Sequence, residues 1–393
     1  MDWTTIILGA GAAGMMCAAH AGPGVLILDH ARAPGEKIRI SGGGRCNFTN
    51  LRAAPENFLS ENSHFCKSAL ARYTQWDFID LIDRYGIAWH EKTLGQLFCD
   101  GSSREIISML RDEMARAGAE LWVSTDIVEV KHDTGYFQVE VERDGRRQMQ
   151  SSRNLVLATG GKSIPKMGAT GLAYRLADQF GLAVTDTRPA LVPLTFPDGR
   201  FKSLAGVSAQ VRLSNTRAAF DEAMLFTHRG LSGPAVLQLS SYWREGEAIS
   251  VDLCPGGDLF EALRRQRQSE GRRQLRTELG HHLPARLVEQ LGTQLDLDGR
   301  LAEQSDARLS ALCAALGNWV LTPSGSEGYR TAEVTLGGIS TDGVSSKTME
   351  AKTVTGLFAI GEAMDVTGWL GGYNFQWAWS SGVAAGRAIA ARR

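Results

Sequence analysis

Apolar and polar positions near the N-terminus follow a strand–turn–helix–strand pattern. Residues 4–8 are an apolar run that predicts a short strand, residues 9–14 (GAGAAG) predict a turn, and a helix follows. Val25–Leu28 predicts a second strand, which ends at Asp29. This order is typical of dinucleotide-binding folds, in which the helix N-terminus faces a pyrophosphate and the acidic residue binds a ribose. The predicted contacts are Gly9, Gly11, Ala12, Ala13, Gly14 and Asp29.

The pattern of apolar and polar residues changes several times after this strand–turn–helix–strand segment. Residues 63–118 read as helical, and residues 121–141 read as short strands around a turn. An apolar strand over 155–157 ends in a glycine turn. The remaining segments are strand-like over 191–255, polar and helical over 258–322, a strand over 354–360, and a helix over about 375–391.

The two ends of the chain therefore share a strand–helix pattern that the middle lacks. We predict an α/β fold in which a Rossmann-like domain is interrupted by an inserted β-barrel-like and helical portion. The predicted boundaries are 1–190 for the first part of the Rossmann-like domain, 191–255 for an inserted β-rich domain, 256–325 for an inserted helical domain, and 326–393 for the closing part.

Composition narrows the class of protein. Hydrophobic residues make up 43% and charged residues 22% of the chain, which excludes a disordered chain and a coiled coil. A formal net charge of −1 provides no overall positive field for a nucleic acid or a membrane. However, 33 of the 42 basic residues are Arg, and because guanidinium groups bind phosphate well, RNA stays a candidate partner.

Targeting signals and cysteine spacing suggest a compartment. No run of 18 apolar residues occurs, so we expect no membrane span, and the N-terminus lacks the basic start of a signal peptide. The six cysteines are scattered without CxxC spacing, which favours reduced thiols and no metal site. We therefore expect a cytoplasmic protein.

A second glycine-rich segment covers residues 35–50. Three successive glycines lie among basic side chains there, and their backbone N–H groups suit a loop that wraps an anionic ligand. The alternative is a flexible surface loop. The predicted ligand contacts are Lys37, Arg39, Gly43, Gly44 and Arg45.

The C-terminal segment points to a flavin. Residues 356–362 fit a second flavin fingerprint, in which Glu362 holds the ribityl chain. Two further glycines lead into a helix whose N-terminus can stabilise negative charge on the N1–C2=O edge of reduced flavin. The predicted cofactor is FAD, and because no second GxGxxG unit occurs, NAD(P)H is expected to dock only transiently as electron donor. The predicted contacts outside the N-terminal unit are Gly361, Glu362, Gly372, Asn374, Phe375, Ile127, Thr159 and Gly160.

These motifs resemble the YhiN-type flavoproteins, a family that also carries aminoacetone-oxidase and bile-acid-reductase labels. The most specific stretches are 37–50, 64–100, 225–243, 327–338 and 361–382. The resemblance implies a Rossmann-like FAD-binding domain and reduction of a uridine to dihydrouridine, with 23S ribosomal RNA or a ribosome precursor as partner. Chemically, reduced flavin can deliver hydride to C6 of uracil, and a positioned acid then protonates C5.

Three side chains are candidates for that acid. Unrelated tRNA-modifying dihydrouridine synthases use a cysteine, so Cys99 is the first candidate and Cys46 the second, although each can equally be a small packed residue. His228 is the rival donor.

Candidate RNA contacts lie in the middle of the chain and near its end. Arg229, beside His228, can bind a phosphate or a base, or can belong to a stabilised turn. Tyr329 and Arg330 can offer stacking faces for a base. The basic run that contains Arg264, Arg265, Arg272 and Arg273 can track phosphates, or can be a solvated helix face.

Two other functions remain open from the residues alone. One is a small-molecule flavin oxidase or reductase that acts on an amine or an enone-like substrate. The other is a non-catalytic, flavin-bearing RNA-binding or assembly factor.

Overall fold

The computed structural model describes residues 2–197 and 199–392. The chain divides into two compact units, which we call unit 1 (residues 1–188 and 334–393) and unit 2 (residues 189–333). Both ends of the chain thus build unit 1, and unit 2 is an insertion into it. The predicted interrupted Rossmann-like α/β fold is confirmed. The finer boundaries that divide the insertion into a β-rich and a helical domain stay a prediction.

The strands have the following bounds. They are β1 (Trp3–Leu8), β2 (Val25–Leu28), β3 (Asn47–Asn50), β4 (Phe58–Leu59), β5 (Trp89–Glu91), β6 (Gln96–Cys99), β7 (Ala119–Trp122), β8 (Thr125–Asp133), β9 (Tyr136–Arg143), β10 (Arg146–Leu157), β11 (Arg188–Ala190), β12 (Leu194–Thr195), β13 (Ser208–Ser214), β14 (Ala219–Phe226), β15 (Gly230–Ser232), β16 (Ile249–Asp252), β17 (Trp319–Leu321), β18 (Gly325–Ser326), β19 (Val334–Leu336), β20 (Leu357–Ala359) and β21 (Thr367–Gly368).

The α-helices have the following bounds. They are α1 (Ala12–His20), α2 (Glu36–Ile40), α3 (Lys67–Arg72), α4 (Gln75–Arg84), α5 (Ser103–Arg116), α6 (Leu172–Gln179), α7 (Pro234–Ser240), α8 (Leu259–Ser269), α9 (Leu275–Leu279), α10 (Ala285–Leu291), α11 (Asp306–Gly317) and α12 (Tyr373–Ala390). None of the described helices is both long and apolar enough to cross a membrane.

The main sheet of unit 1 places β7, β2, β1, β10 and β20 side by side and parallel. Ile7 of β1 lies opposite Ile27 of β2 and Val156 of β10, and all three are fully buried. Burial on both faces explains why these strands read as continuous apolar runs in the sequence. The first part of β10 extends beyond the parallel region and pairs antiparallel with β9, which pairs with β8.

Helix α12 packs directly on α1 because it carries glycines at the contact. A Cβ atom at Gly382 would lie 2.6 Å from the carbonyl oxygen of Ala13, and one at Gly386 would lie 2.7 Å from that of Cys17. The C-terminal helix is therefore part of the nucleotide fold, and it begins at Tyr373 rather than at the predicted residue 375.

Two segment predictions from the sequence are partly wrong, since the segment predicted as strand-like over residues 191–255 also contains helix α7. Residues 63–118 are not helical throughout, because β5 and β6 form an antiparallel hairpin that also pairs with β3. The apolar residues Leu97, Phe98 and Cys99 are buried there as strand residues. A short apolar run of this kind is equally compatible with a strand and with a buried helix, so periodicity did not separate them.

Unit 2 contains an antiparallel sheet and a group of helices. The strand order is β17-β16-β13-β14-β15-β12-β18. In β13 the buried residues Ala209, Val211 and Leu213 alternate with exposed ones, which is typical of a sheet with one solvated face. Helices α8 to α11 follow between β16 and β17. Barrel-like closure of this sheet stays a prediction.

Candidate functional site

The turn between β1 and α1 uses its glycines for different purposes. Gly9 has a φ of +106°, and a Cβ atom there would lie 2.9 Å from the Cα atom of Thr159. A Cβ atom at Gly14 would overlap the carbonyl oxygen of Gly9. Gly11 differs, because its φ of −81° is ordinary and no atom lies within 4 Å of an added Cβ. Gly9 and Gly14 are therefore needed for packing, while Gly11 faces open space.

The open space at Gly11 lies at the N-terminus of α1. No side chain caps this helix, and the first turn of a helix leaves N–H groups without intrahelical partners. Those groups belong to Ala12, Ala13 and Gly14, and the helix dipole adds partial positive charge at the same end. The arrangement fits an anionic group such as a pyrophosphate, as predicted for these residues.

Asp29 lies at the end of β2 and is tied to the same turn. Its carboxylate accepts hydrogen bonds from the backbone N–H of Ala10 at 2.7 Å and of Ala31 at 2.8 Å. Each carboxylate oxygen retains a second lone pair, which can accept a ribose hydroxyl. The backbone N–H of Thr125 donates to the carbonyl of Asp29, so β8 begins beside it and carries Ile127 two residues later.

Glu362 is held by three protein donors. Its carboxylate accepts hydrogen bonds from Nζ of Lys37 at 2.6 Å, from Oγ of Ser163 at 2.9 Å and from the backbone N–H of Thr335 at 3.0 Å. Nζ of Lys37 also donates to Oγ of Ser163 at 2.5 Å. Lys37 and Glu362 are both predicted ligand contacts, but their pairing was not predicted, because the two residues are 325 positions apart in the chain. The ribityl contact of Glu362 stays a prediction.

The loop over residues 41–44 has an unusual backbone. Gly42, Gly43 and Gly44 all have positive φ angles, which favour glycine, and a Cβ atom at Gly43 would meet no atom within 4 Å. The loop therefore exposes peptide groups that can approach a ligand closely. Of its basic neighbours, Arg39 pairs with Glu36 at 2.6 Å, whereas the side chain of Arg45 is exposed.

The N-terminus of α12 is, like that of α1, a helix end that no side chain caps. Gly372 has a φ of +94°, and an added Cβ would overlap the backbone of Thr49 in β3. No side chain caps α12, so its first N–H groups are open to an acceptor. Asn374 instead stabilises the preceding loop by a pair of hydrogen bonds, 2.8 and 2.9 Å long, with the backbone of Gly368. Phe375 stacks on Trp379 within the helix.

Two buried polar atoms in these segments lack a hydrogen-bond partner among the described residues. They are Oδ1 of Asn47, which follows the glycine loop, and Oγ1 of Thr159, which adjoins Gly9 and precedes Gly160. Buried polar atoms normally have partners, and unsatisfied ones concentrate where a ligand or water completes the site. Together with the uncapped ends of α1 and α12, they fit a polar, phosphate-bearing cofactor such as FAD.

The two candidate thiols are enclosed in the hairpin region. Cys46 and Cys99 are both 0% exposed, and the N–H of Cys99 donates to the carbonyl of Arg45 at 3.0 Å. Burial, followed by the charges of Glu105 and Asp100, raises the pKa of Cys99 to about 12. Burial also raises the pKa of Cys46. Both thiols stay protonated near pH 7, but neither reaches a surface where substrate could meet it. Their catalytic role stays a prediction, and burial counts against it.

Asp365 is a titratable residue that was not predicted from the sequence, and it lies in the chain segment between Glu362 and α12. Asp365 is 3% exposed, and desolvation raises the pKa of its carboxyl group. The carboxylate accepts hydrogen bonds from the N–H of Glu61 at 2.9 Å and from Oγ of Ser60 at 3.3 Å. The available signal was an acidic residue within an otherwise apolar stretch, AMDVTG.

The remaining substrate candidates belong to unit 2. His228 and Arg229 are exposed in the turn between β14 and β15, where Oγ1 of Thr227 accepts from the N–H groups of Arg229 and Gly230. The turn is thus stabilised by a side chain, while both basic side chains point to solvent. Tyr329 is half-buried and Arg330 is exposed. Their contacts with RNA stay predictions.

Most of the basic run in unit 2 is neutralised. Asp306 lies 3.4 Å from Arg264 and 2.5 Å from Arg267. Further along, Glu278 pairs with Arg273 at 2.5 Å, and Asp298 pairs with Arg276 at 3.0 Å. Arg265 and Arg272 are exposed and have no ion-pair partner in the part of the chain that the structure describes. The run is therefore not a uniform phosphate-tracking face.

A parallel sheet, an uncapped helix after a glycine turn, and an acidic residue at the next strand end define a dinucleotide-binding protein of the Rossmann type. The chain matches the HI0933-like protein Rossmann domain family over residues 3–388, and it belongs to that family.

Several known proteins are similar along the whole chain. A ribosomal RNA dihydrouridine synthase of Escherichia coli K12 is 50% identical, with 99% of this chain and 98% of that protein covered. A protein of the same name from Haemophilus influenzae is 46% identical, with 98% of each chain covered. A 3-dehydro-bile acid delta(4,6)-reductase of Clostridium scindens is 27% identical, again with 98% of each covered.

Solved structures show the same fold at low identity. A 3-ketosteroid-delta4-(5alpha)-dehydrogenase from Rhodococcus jostii matches with a TM-score of 0.52 and 16% identity, covering 99% of this chain and 97% of that one. The E. coli quinol fumarate reductase subunit FrdA matches with a TM-score of 0.51 and 15% identity, covering all of this chain and 70% of that one.

Proposed function

We propose that the protein is an FAD-dependent oxidoreductase that reduces a uridine of 23S ribosomal RNA to dihydrouridine. The observation that carries this proposal is the 50% identity, over 99% of the chain, to a ribosomal RNA dihydrouridine synthase. The alignment covers unit 2 as well as unit 1, so the likeness is not confined to the nucleotide fold. The substrate is either free 23S RNA or a ribosome precursor, and the reaction takes place in the cytoplasm.

Unit 1 supplies the groups that would hold FAD. The N-terminal N–H groups of α1 would bind the pyrophosphate, and Asp29 would bind the adenosine ribose. The uncapped N-terminus of α12 would offer its positive dipole end to the flavin ring edge that becomes negative on reduction. The ion pair between Lys37 and Glu362 holds an ammonium group and a carboxylate group together within the same unit.

The chemistry that bound FAD would supply is hydride transfer to C6 of uracil, with NAD(P)H as the transient electron donor. The protein must then hold the base, exclude water and deliver a proton to C5, because the anion left by hydride addition is spread over C5 and O4. The candidate proton donors for C5 are Cys99, Cys46 and His228. The enclosure of both thiols makes direct transfer from either one dependent on opening of the β3–β6 sheet.

The bile-acid reductase relative supports a second candidate function. Its name describes reduction of a C=C bond in a 3-oxo steroid, and uracil has the same arrangement of a C=C bond conjugated to a carbonyl. The site could therefore reduce a small enone, and an amine oxidase activity is the other small-molecule option. The 27% identity of this relative is much lower than that of the RNA-modifying proteins, so we place RNA first.

The deciding experiment compares 23S RNA from cells with and without the gene. Digestion and mass analysis should show one uridine that is heavier by two hydrogen atoms only when the gene is present. Restoration by the wild-type gene, but not by a variant that cannot load flavin, links the modification to the cofactor. Unchanged RNA together with reduction of a conjugated ketone by the purified protein would support the small-molecule function. Unchanged RNA and unchanged ketone, with RNA binding retained, would support a non-catalytic assembly factor.

A further inference from the structure

An open cavity of about 390 Å³ lies within unit 2, between helix α8 and the segment that begins with Arg273 and continues through α9. We call it the α8–α9 cavity. Its polar lining consists of Arg265, Gln266, Arg273, Glu278, His281 and His282. Neither histidine was assigned a role from the sequence, because no metal-ligand spacing surrounds them.

The wall of the cavity is organised by a buried carboxylate. Glu278 is only 2% exposed, and it pairs with Nη1 of Arg273 at 2.5 Å. The other oxygen of Glu278 lies 3.7 Å from Nε2 of His282. Backbone hydrogen bonds from His281 and His282 to the end of α9 close the turn on which both rings lie. Glu278 therefore fixes the position of Arg273 and lies near the His282 ring.

The two sides of α8 differ in charge balance. On one side, Arg264 and Arg267 are engaged by Asp306. On the other side, Arg265 lines the cavity and has no ion-pair partner among the described residues. Arg273 is balanced by Glu278 and, at 3.6 Å, by the exposed Glu270. Arg265 thus adds a guanidinium group that no carboxylate among the described residues engages, and the two imidazoles that line the same cavity can donate further hydrogen bonds.

We propose that the α8–α9 cavity is a binding site for a backbone phosphate of the RNA substrate, with Arg265 as its principal cation. A guanidinium fork binds phosphate by two parallel hydrogen bonds, and imidazole N–H groups add donors around the same oxygens. The choice of RNA rests on the proposed function. The cavity is open on one side, so it can receive a phosphate that remains part of a chain.

The test compares two variants of the FAD-loaded full-length protein. Arg265→Gln removes the cation in the cavity, while Arg264→Gln makes the same change one residue away, on the side of α8 that faces Asp306. Affinity for unmodified 23S RNA is measured over a range of salt concentrations. Arg265→Gln should weaken binding by about three- to tenfold and should lower the log–log salt slope by about one unit, as expected for one lost phosphate contact. Arg264→Gln should behave like the wild type.

Each outcome has a defined meaning. Wild-type affinity and salt slope for Arg265→Gln, or equal losses for both variants, would overturn the inference. So would tight binding of free uridine monophosphate that requires Arg265 while RNA affinity is unchanged, since the cavity would then be a nucleotide site. Failure of the proposed function is seen separately, because RNA binding is measured without turnover. If RNA binds through Arg265 and its uridines stay unreduced, the cavity assignment stands and the reductase proposal fails.

Discussion

Units 1 and 2 present positive charge to ligands by different means. In unit 1 the charge is carried by backbone N–H groups at the uncapped ends of α1 and α12, which are fixed by packing. In unit 2 it is carried by arginine side chains, and most of the basic run is already engaged by carboxylates. Backbone donors at a helix end cannot be neutralised by a neighbouring side chain unless the loop is rebuilt, whereas a side-chain cation can. Unit 1 therefore keeps its helix-end donors available to an anion, whereas in unit 2 only particular arginines are available.

The largest expected effect is on the glycine turn of unit 1. Gly11→Val should leave the protein folded, because the Gly11 φ of −81° suits valine and no protein atom lies within 4 Å of a Cβ atom added there. The side chain fills the ligand space instead, so FAD occupancy should fall on the order of tenfold or more, as expected for 1–3 kcal/mol of overpacking. The measurement is the flavin-to-protein absorbance ratio of the purified protein.

Gly14→Val is the matched control. Its Cβ would overlap the carbonyl oxygen of Gly9, so this variant should lose folded structure as well as flavin. Full FAD occupancy in Gly11→Val would show that the pyrophosphate does not bind at α1.

A smaller loss of FAD affinity is expected when a side chain of unit 1, instead of its backbone turn, is changed. Glu362→Ala removes the partner of Lys37 but leaves the helix ends unchanged, so FAD affinity should fall by about 1 kcal/mol, less than in Gly11→Val. Glu362→Gln keeps acceptors for Ser163 and Thr335 and should lie between Ala and wild type. Titration of flavin-free protein with FAD gives the three affinities. A loss in Glu362→Ala as large as that in Gly11→Val would mean that side chains, not backbone, dominate binding in unit 1.

The buried thiols predict a pH effect on stability. The pKa of Cys99 is about 12 in the folded protein against 9.0 for the free side chain. The folded state thus favours the protonated thiol, and this contribution is complete below pH 9 and is lost as pH rises toward 12. The wild type should lose up to about 1.4 kcal/mol of unfolding free energy per pH unit more than Cys99→Ala within that window. Urea denaturation at several pH values measures the difference, and equal slopes would mean that the thiol is not buried in solution.

The smallest expected effect concerns proton transfer. The Cys99 side chain is fully enclosed. In a single turnover, RNA should therefore reoxidise the reduced flavin of Cys99→Ala at a rate within about twofold of the wild-type rate. A general acid would instead contribute on the order of 10². A loss of that size, with FAD and RNA binding intact, would make Cys99 the acid and would require the β3–β6 sheet to open during the reaction. His228→Ala serves as the parallel test of the exposed imidazole.

The sequence predicted unit 1 better than unit 2 for a physical reason. The turn at residues 9–14 and the acid at position 29 are local motifs, since backbone geometry within about 20 residues decides what they do. The Lys37–Glu362 pair and the pairing of β6 with β3 depend on contacts between distant segments, and no local pattern reports them. In unit 2 the basic run was visible in the sequence, but the carboxylates that neutralise four of its arginines were not.

Flavin held in unit 1 is expected to reduce a uridine of ribosomal RNA directly. The most direct test is a single turnover under anaerobic conditions, in which FAD-loaded protein is reduced, freed of excess reductant and mixed with 23S RNA from cells that lack the gene. Flavin absorbance and dihydrouridine content are followed in the same sample. We predict one dihydrouridine formed for each flavin oxidised. Flavin that stays reduced with RNA, yet is oxidised by a conjugated ketone of the 3-oxo steroid type, would show that the protein is a small-molecule reductase and not an RNA-modifying enzyme.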